Sequence, residues 1–172
     1  IKKILVTGGA GFIGSHTVDL LVDNGYQVVV LDSLKPPTHN GKIPKWLNKK
    51  AKLIKGDVRE KKDWQKALRG VEAVVHLAAY MDYHLDFSTY VQTNIESLTI
   101  LFEIIVEEKL SIKKIVLASS QAVYGEGKYR CKNHGVMYVS PREEEQFKRH
   151  QWEQFCPRCG KEVVPVSEKE ED

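Results

Sequence analysis

The sequence predicts a doubly wound α/β fold with a small insertion near its C-terminal end. Three observations predict it. Five short apolar runs alternate with helical patterns over the first 120 residues, a glycine-rich turn joins the first run to the first helix, and a cysteine-bearing stretch breaks the alternation after Gly125.

The runs lie at 4–6, 28–31, 53–54, 73–75 and 115–118. They are apolar throughout rather than alternating, as in strands buried on both faces of a parallel sheet. Between the first two, "GFIGSHTVDLLVDNG" predicts a helix with Ile13, Leu20 and Leu21 on one face and a stop at Asn24 and Gly25. Between the last two, Phe87, Val91, Ile95, Leu98, Leu101 and Ile105 step at helical spacing. Strand–helix units joined by right-handed crossovers make a doubly wound sheet. Past Gly125, "SPREEEQF" predicts a helix with Ser140 as N-cap, Pro141 in first position and Glu143 completing a capping box. The predicted organisation is therefore a domain over 1–124, an insertion over 125–165 and an acidic tail over 166–172.

With 172 residues, 42% hydrophobic, the chain can build one packed domain and a small appendage. A net charge of +3 makes no case for a nucleic-acid or membrane partner. Lys45, Lys49, Lys50, Lys52 and Lys55 read as a solvated loop rather than a phosphate patch. No apolar run reaches the roughly 18 residues of a transmembrane helix. The opening "IKKILVTGG" lacks a signal-peptide layout, and three cysteines argue against a secreted disulfide scaffold, so the expected location is cytoplasmic.

The first strand runs into "TGGAGFIG". Gly9, Gly11 and Gly14 fit G-x-G-x-x-G, and Gly8, Gly11 and Gly14 fit G-x-x-G-x-x-G. Either pattern alone is weak and could serve turn geometry only. Here it follows a strand, opens a helix and precedes Asp32, eighteen residues beyond Gly14 at the end of the next strand. In that context the glycines let backbone approach a pyrophosphate at the helix N-terminus, as in a Rossmann-type site. Asp32 would bond a ribose 2′-hydroxyl and repel a 2′-phosphate, which favours NAD over NADP; nearby Lys35 works against that preference.

"VTGGAGFIGSH", "LDSL", "GDVRE", "VVHLAA", Asn94 and "SSQAVYGE" lie within residues 3–126. In that order the chain resembles the extended short-chain dehydrogenase/reductase family, in its nucleotide-sugar epimerase/dehydratase branch. The resemblance implies NAD as cofactor, with Gly8, Gly11, Phe12, Ile13, Gly14, Asp32, Asp57, Val58, Leu77, Ala78, Ala79 and Asn94 around it. Asp57 and Val58 would contact adenine, and Leu77, Ala78 and Ala79 would line the cofactor. His76, at a strand end, reads as a packed, hydrogen-bonded residue rather than a catalyst.

By the same resemblance Ser120, four residues before Tyr124, is the catalytic hydroxyl, polarising the sugar oxygen; the bland alternative is a strand-end hydroxyl satisfying backbone. Tyr124 and Lys128 have the letters of the family's Y-x-x-x-K pair. Gly125 and Gly127 fall between them, and each glycine costs about 1 kcal/mol in a helix. A loop is expected there, and spacing four brings side chains together only on a helix. The family's base helix and sugar-binding part would follow "VVPVSEKEED", so the C-terminal substrate part is expected to be absent from this chain and the chain alone inactive.

Cys131-x2-His134 and Cys156-x2-Cys159 supply four ligands, enough for a tetrahedral Cys3His zinc site. Gly160 suits a tight knuckle. A redox C-x-x-C and unliganded thiols are the alternatives. Taken together, the expected function is the NAD-binding portion of a nucleotide-sugar 4-epimerase that is a homodimer at full length. Two rivals remain. A 4,6-dehydratase would carry an Asp-Glu pair where this chain has Gln121 and Ala122. A non-catalytic NAD-binding regulatory module would need no base at all.

Overall fold

The computed structural model describes residues 1–36, 38–81 and 85–169. The last three residues of the expected acidic tail therefore lie outside the described residues. The chain divides into two compact units, Ile1–Ala118 and Ser119–Asp172. The division falls before the short 3-10 turn Gln121–Tyr124, whereas the expected boundary fell after it.

The first unit is a five-stranded parallel sheet in the order β3-β2-β1-β4-β5. Its strands are β1 (Lys3–Thr7), β2 (Gln27–Asp32), β3 (Lys52–Lys55), β4 (Ala73–His76) and β5 (Lys114–Leu117). Val28, Val29, Val30 and Leu31 are all buried, because helices cover both faces of the sheet at β2; β5 departs from the expected two-sided burial, with Val116 and Leu117 exposed at this edge of the sheet. On one face Leu5, Leu31 and Val74 pack with Trp64 and Ala67 of α2 (Lys61–Ala67) and Leu101 and Ile104 of α4 (Ser97–Glu107). On the other, Val6, Val28 and Val30 pack with Val18 of α1 (Phe12–Asp23) and with Leu47. β3 is a short edge strand with an exposed lysine at each end, a pattern that discourages further strand pairing. Two of the five clustered lysines thus flank a strand rather than lie in a loop, and all five are exposed.

Two apolar faces differ from expectation. In α1, Ile13 and Leu20 are 68% and 65% exposed, while Gly14, Ser15 and Val18 face inward. The small residues face inward because α1 presses close on the turn that precedes it. In the long helical stretch, α3 (Phe87–Tyr90) continues through a π-helical segment, Val91–Glu96, before α4. The wider turn rotates the register, so Phe87, Val91 and Ile95 point outward while Leu101 is buried. The expected stop is present: Asn24 caps α1 and Gly25 takes φ +82°.

The second unit is a three-stranded antiparallel sheet, β7-β6-β8, made of β6 (Lys128–Cys131), β7 (Gly135–Tyr138) and β8 (Val164–Val166). Its helix α5 (Glu144–Lys148) starts at Glu143 without a side-chain cap. The Ser140 capping box does not form. Gln154 bonds the Ser140 carbonyl, and Arg142 is drawn to Glu126 and the Trp152 carbonyl, which holds the segment extended. Among the described residues, no helix is long and apolar enough to cross a membrane.

Candidate cofactor site and a cysteine–histidine cluster

Sheet order reverses between β1 and β4, and a crevice at such a switch point is where doubly wound sheets bind ligands. The turn leaving β1 is locked in place. Gly8 takes φ +65° and donates to the Leu31 carbonyl at 2.9 Å, and Gly11 donates back to Gly8 at 3.1 Å. A Cβ on Gly8 would lie 2.9 Å from the Ala78 nitrogen, and one on Gly14 would lie 2.1 Å from the Gly8 oxygen. The turn, the start of α1 and the backbone after β4 are in van der Waals contact at these points. α1 begins with no side-chain cap and no acidic residue in its first turn. Its leading N–H groups suit an anion. Phe12 and Ile13 are exposed at that end.

Asp32, at the end of β2, is buried and braces this turn. Its Oδ2 accepts from Ala10 N at 3.0 Å and its Oδ1 from Leu34 N at 2.9 Å. An ionised carboxylate offers about four acceptor positions, so hydroxyl donors can still be accommodated. Trp46, which the sequence did not single out, donates from Nε1 to the Ala10 carbonyl at 3.1 Å. Beside it a hollow of about 340 Å³ opens along α1, lined by Gly11, Phe12, Ser15, His39 and Trp46.

Asp57 follows β3. Its Oδ2 accepts from Lys35 Nζ and Arg59 at 2.8 Å each, and its Oδ1 from the Arg59 backbone and Nε at 3.0 Å. Partial burial works against its charge, but Arg59 and Lys35 outweigh that and hold the carboxyl well below the usual range. Lys35 is thereby committed to Asp57. Val58 is buried in the core, and its carbonyl accepts from Trp64 Nε1.

Leu77 and Ala78 follow β4, and both donate to Thr7 Oγ1 at 3.1 Å. With two donors on that oxygen, the Thr7 hydrogen goes to His76 Nδ1, 2.7 Å away. The pattern assigns the imidazole proton to Nε2, which faces Ser97 Oγ at 3.3 Å, and Ser97 donates onward to the Thr93 carbonyl. Burial pushes His76 down to about 4, so the ring is neutral near pH 7. Asn94, in the π-helical segment, accepts from Tyr80 N at 2.7 Å and donates to Tyr80 O at 3.0 Å. A relay of polar groups thus ties the π-helical segment to the β4 end and the glycine turn. Thr7 and Ser97 are its unforeseen members.

In the second unit Ser120 is exposed and caps the 3-10 turn, its Oγ accepting from Ala122 N at 3.2 Å. Tyr124 ends that turn and Lys128 begins β6, with Gly125 at φ +65° and Gly127 at φ +90° between them. No helix carries the pair. Cys131, His134, Cys156 and Cys159 gather with their ligand atoms within 4.8 Å of one another. Gly135 repeats the position that Gly160 holds in the second motif, so both motifs have the form C-x-x-[HC]-G. Gly135 takes φ +74° and Gly160 φ +65°, so each ligand pair is closed by a left-handed glycine.

The sequence model described as the NAD dependent epimerase/dehydratase family matches residues 4–151. The dTDP-L-rhamnose 4-epimerase of Burkholderia thailandensis is 35% identical over 158 residues, covering 88% of this chain and 44% of that protein. The crystal structure of UDP-glucuronic acid 4-epimerase from Bacillus cereus in complex with NAD matches with a TM-score of 0.60 at 37% identity, over 72% of this chain and 42% of that one. That of UDP-glucose 4-epimerase from Thermotoga maritima, with UDP-glucose, matches with a TM-score of 0.62 at 30% identity, over 87% and 49%. The chain thus spans less than half the length of these relatives.

Proposed function

The chain belongs to the NAD-dependent epimerase/dehydratase family, and from that premise we propose that it is the NAD-binding portion of a nucleotide-sugar 4-epimerase. The observation that carries the reading is the glycine turn at the switch point, closed on Asp32 and opening an uncapped α1. In this reading the first N–H groups of α1, at Phe12 and Ile13, hold the diphosphate. Gly8 and Gly14 keep the backbone clear of side chains, and Asp32 accepts from the adenosine ribose. Asp57 and Val58 border the adenine, with Asp57 supplying a carboxylate fixed in its charged form. Leu77, Ala78 and Ala79 wall the cofactor, and Asn94 holds the loop after β4 in place through Tyr80. NAD, when bound, supplies the acceptor and donor of hydride at the sugar C4.

Ser120 is the hydroxyl that binds the reacting sugar oxygen. Its Oγ accepts from Ala122, which orients its own hydrogen for donation. The substrate is a UDP- or dTDP-sugar. A homodimeric enzyme in the cytoplasm completes the reading. In the full-length protein, Ser120→Ala is expected to lower turnover roughly 10²–10³-fold with NAD affinity unchanged. Epimerisation of UDP- and dTDP-sugars, followed beside NAD binding, checks this. Wild-type turnover in the variant would make Ser120 a turn cap only.

A further inference from the structure

We propose that Cys131, His134, Cys156 and Cys159 bind one zinc ion as a closed structural centre within the 119–172 unit. Three of the six spacings among the ligand atoms fit the edges of a tetrahedron, and all six lie within 4.8 Å. Zinc–sulfur bonds of about 2.3 Å and zinc–nitrogen bonds of about 2.0 Å imply sulfur–sulfur edges near ~3.8 Å and sulfur–nitrogen edges near ~3.5 Å. Cys131 Sγ lies 3.7 Å from Cys159 Sγ and 3.7 Å from His134 Nδ1, and Cys156 Sγ lies 3.3 Å from the same Nδ1. A disulfide needs sulfurs about 2.05 Å apart.

Local backbone also supports a charged sulfur: Asn133 N donates to Cys131 Sγ at 3.4 Å. The second pair sits in a turn closed by Gly160 N to Cys156 O and Cys156 N to Lys161 O, both 2.8 Å, rather than at a helix start where a redox dithiol is activated. Thiolate and imidazole donors select zinc over calcium or magnesium. Four protein ligands leave no open position, so the centre holds structure and activates no water.

Packing gives the second, independent argument. Among the described residues, the buried core of this unit is Cys131, Cys156 and Val163, with Tyr129, Met137 and Val139 packed partly against it. Two of the three buried members are ligands. So small an apolar core needs a staple, and metal binding to such a site is folding free energy. The centre joins the β6–β7 turn to the 156–160 turn that leads into β8.

The test uses the whole chain, purified reduced and without chelator. Elemental analysis is expected to give one zinc per chain. Exchange with Co²⁺ should produce a near-ultraviolet thiolate charge-transfer band and the visible bands of a tetrahedral ion. Removing the metal should raise amide hydrogen exchange in β6, β7 and β8. Cys156→Ser should lose most of the zinc, whereas Arg158→Ala, in the same turn but not a ligand, should keep it. If Cys156→Ser does not fold, chelator competition on the unaltered chain reads the site instead. Substoichiometric metal after zinc reconstitution, a Cys–Cys disulfide in its place, or unchanged exchange after metal removal each overturns the proposal.

Discussion

Gly14→Ala is expected to abolish dinucleotide binding and to destabilise the 1–118 unit by about 3 kcal/mol, the upper end of the usual cost of overpacking. The added Cβ would lie 2.1 Å from the Gly8 oxygen and 2.8 Å from Gly8 C and Gly9 Cα. All three are backbone atoms, so no side chain can rotate away. Nor can the turn retreat easily, because Gly8 is bonded to Leu31 and Asp32 holds Ala10. The first turn of α1 must therefore lift off, and with it the N–H groups proposed to hold the diphosphate. Urea unfolding and NAD titration of the variant read both effects. Stability within about 0.5 kcal/mol of wild type, with unchanged affinity, would show that close approach is not what Gly14 provides.

A second large effect is expected from pH. Burial holds His76 at about 4 in the folded protein, below the ordinary value near 6.5 of an unfolded chain. Between those values the unfolded state binds a proton that the folded state refuses. The stability contribution is therefore complete above about pH 6.5 and is lost as pH falls toward 4. The gap corresponds to roughly 3 kcal/mol at its full extent. Structure gives the same sign: a proton on Nδ1 would face the hydrogen that Thr7 donates there. Unfolding midpoints measured from pH 7 to pH 4.5 should fall more steeply for wild type than for His76→Gln, which leaves the carboxylates in place and removes the imidazole. Parallel curves would mean that His76 does not carry the dependence.

Why some of this was legible follows from the range of the interactions. The inner strands were readable because both faces of the sheet are covered there, so runs such as 28–31 are apolar without interruption, whereas the 115–118 run is apolar although Val116 and Leu117 are exposed. The glycine turn after β1 was readable because its glycines and Asp32 keep fixed spacing. The inward face of α1 was not. An apolar count selects Ile13 and Leu20, whereas close approach of the helix to the Gly8–Gly11 turn places Gly14 and Ser15 inside. The face of the long helical stretch was hidden by its π-helical segment, which no residue count announces. The His76 relay depends on β1 and β4 lying side by side with Thr7 opposite His76, a pairing across 69 residues. The residues of the Cys/His cluster were visible from spacing alone, and Gly135 was equally visible as the partner of Gly160.

The measurement that bears most directly on the central claim is a calorimetric titration of NAD and NADP into the purified 172-residue chain. Saturable binding of one NAD per chain is expected, tighter than NADP, because a 2′-phosphate would meet the buried Asp32 carboxylate while Lys35 is committed to Asp57. A folded chain that binds neither dinucleotide, or that binds NADP as tightly as NAD, would contradict the account.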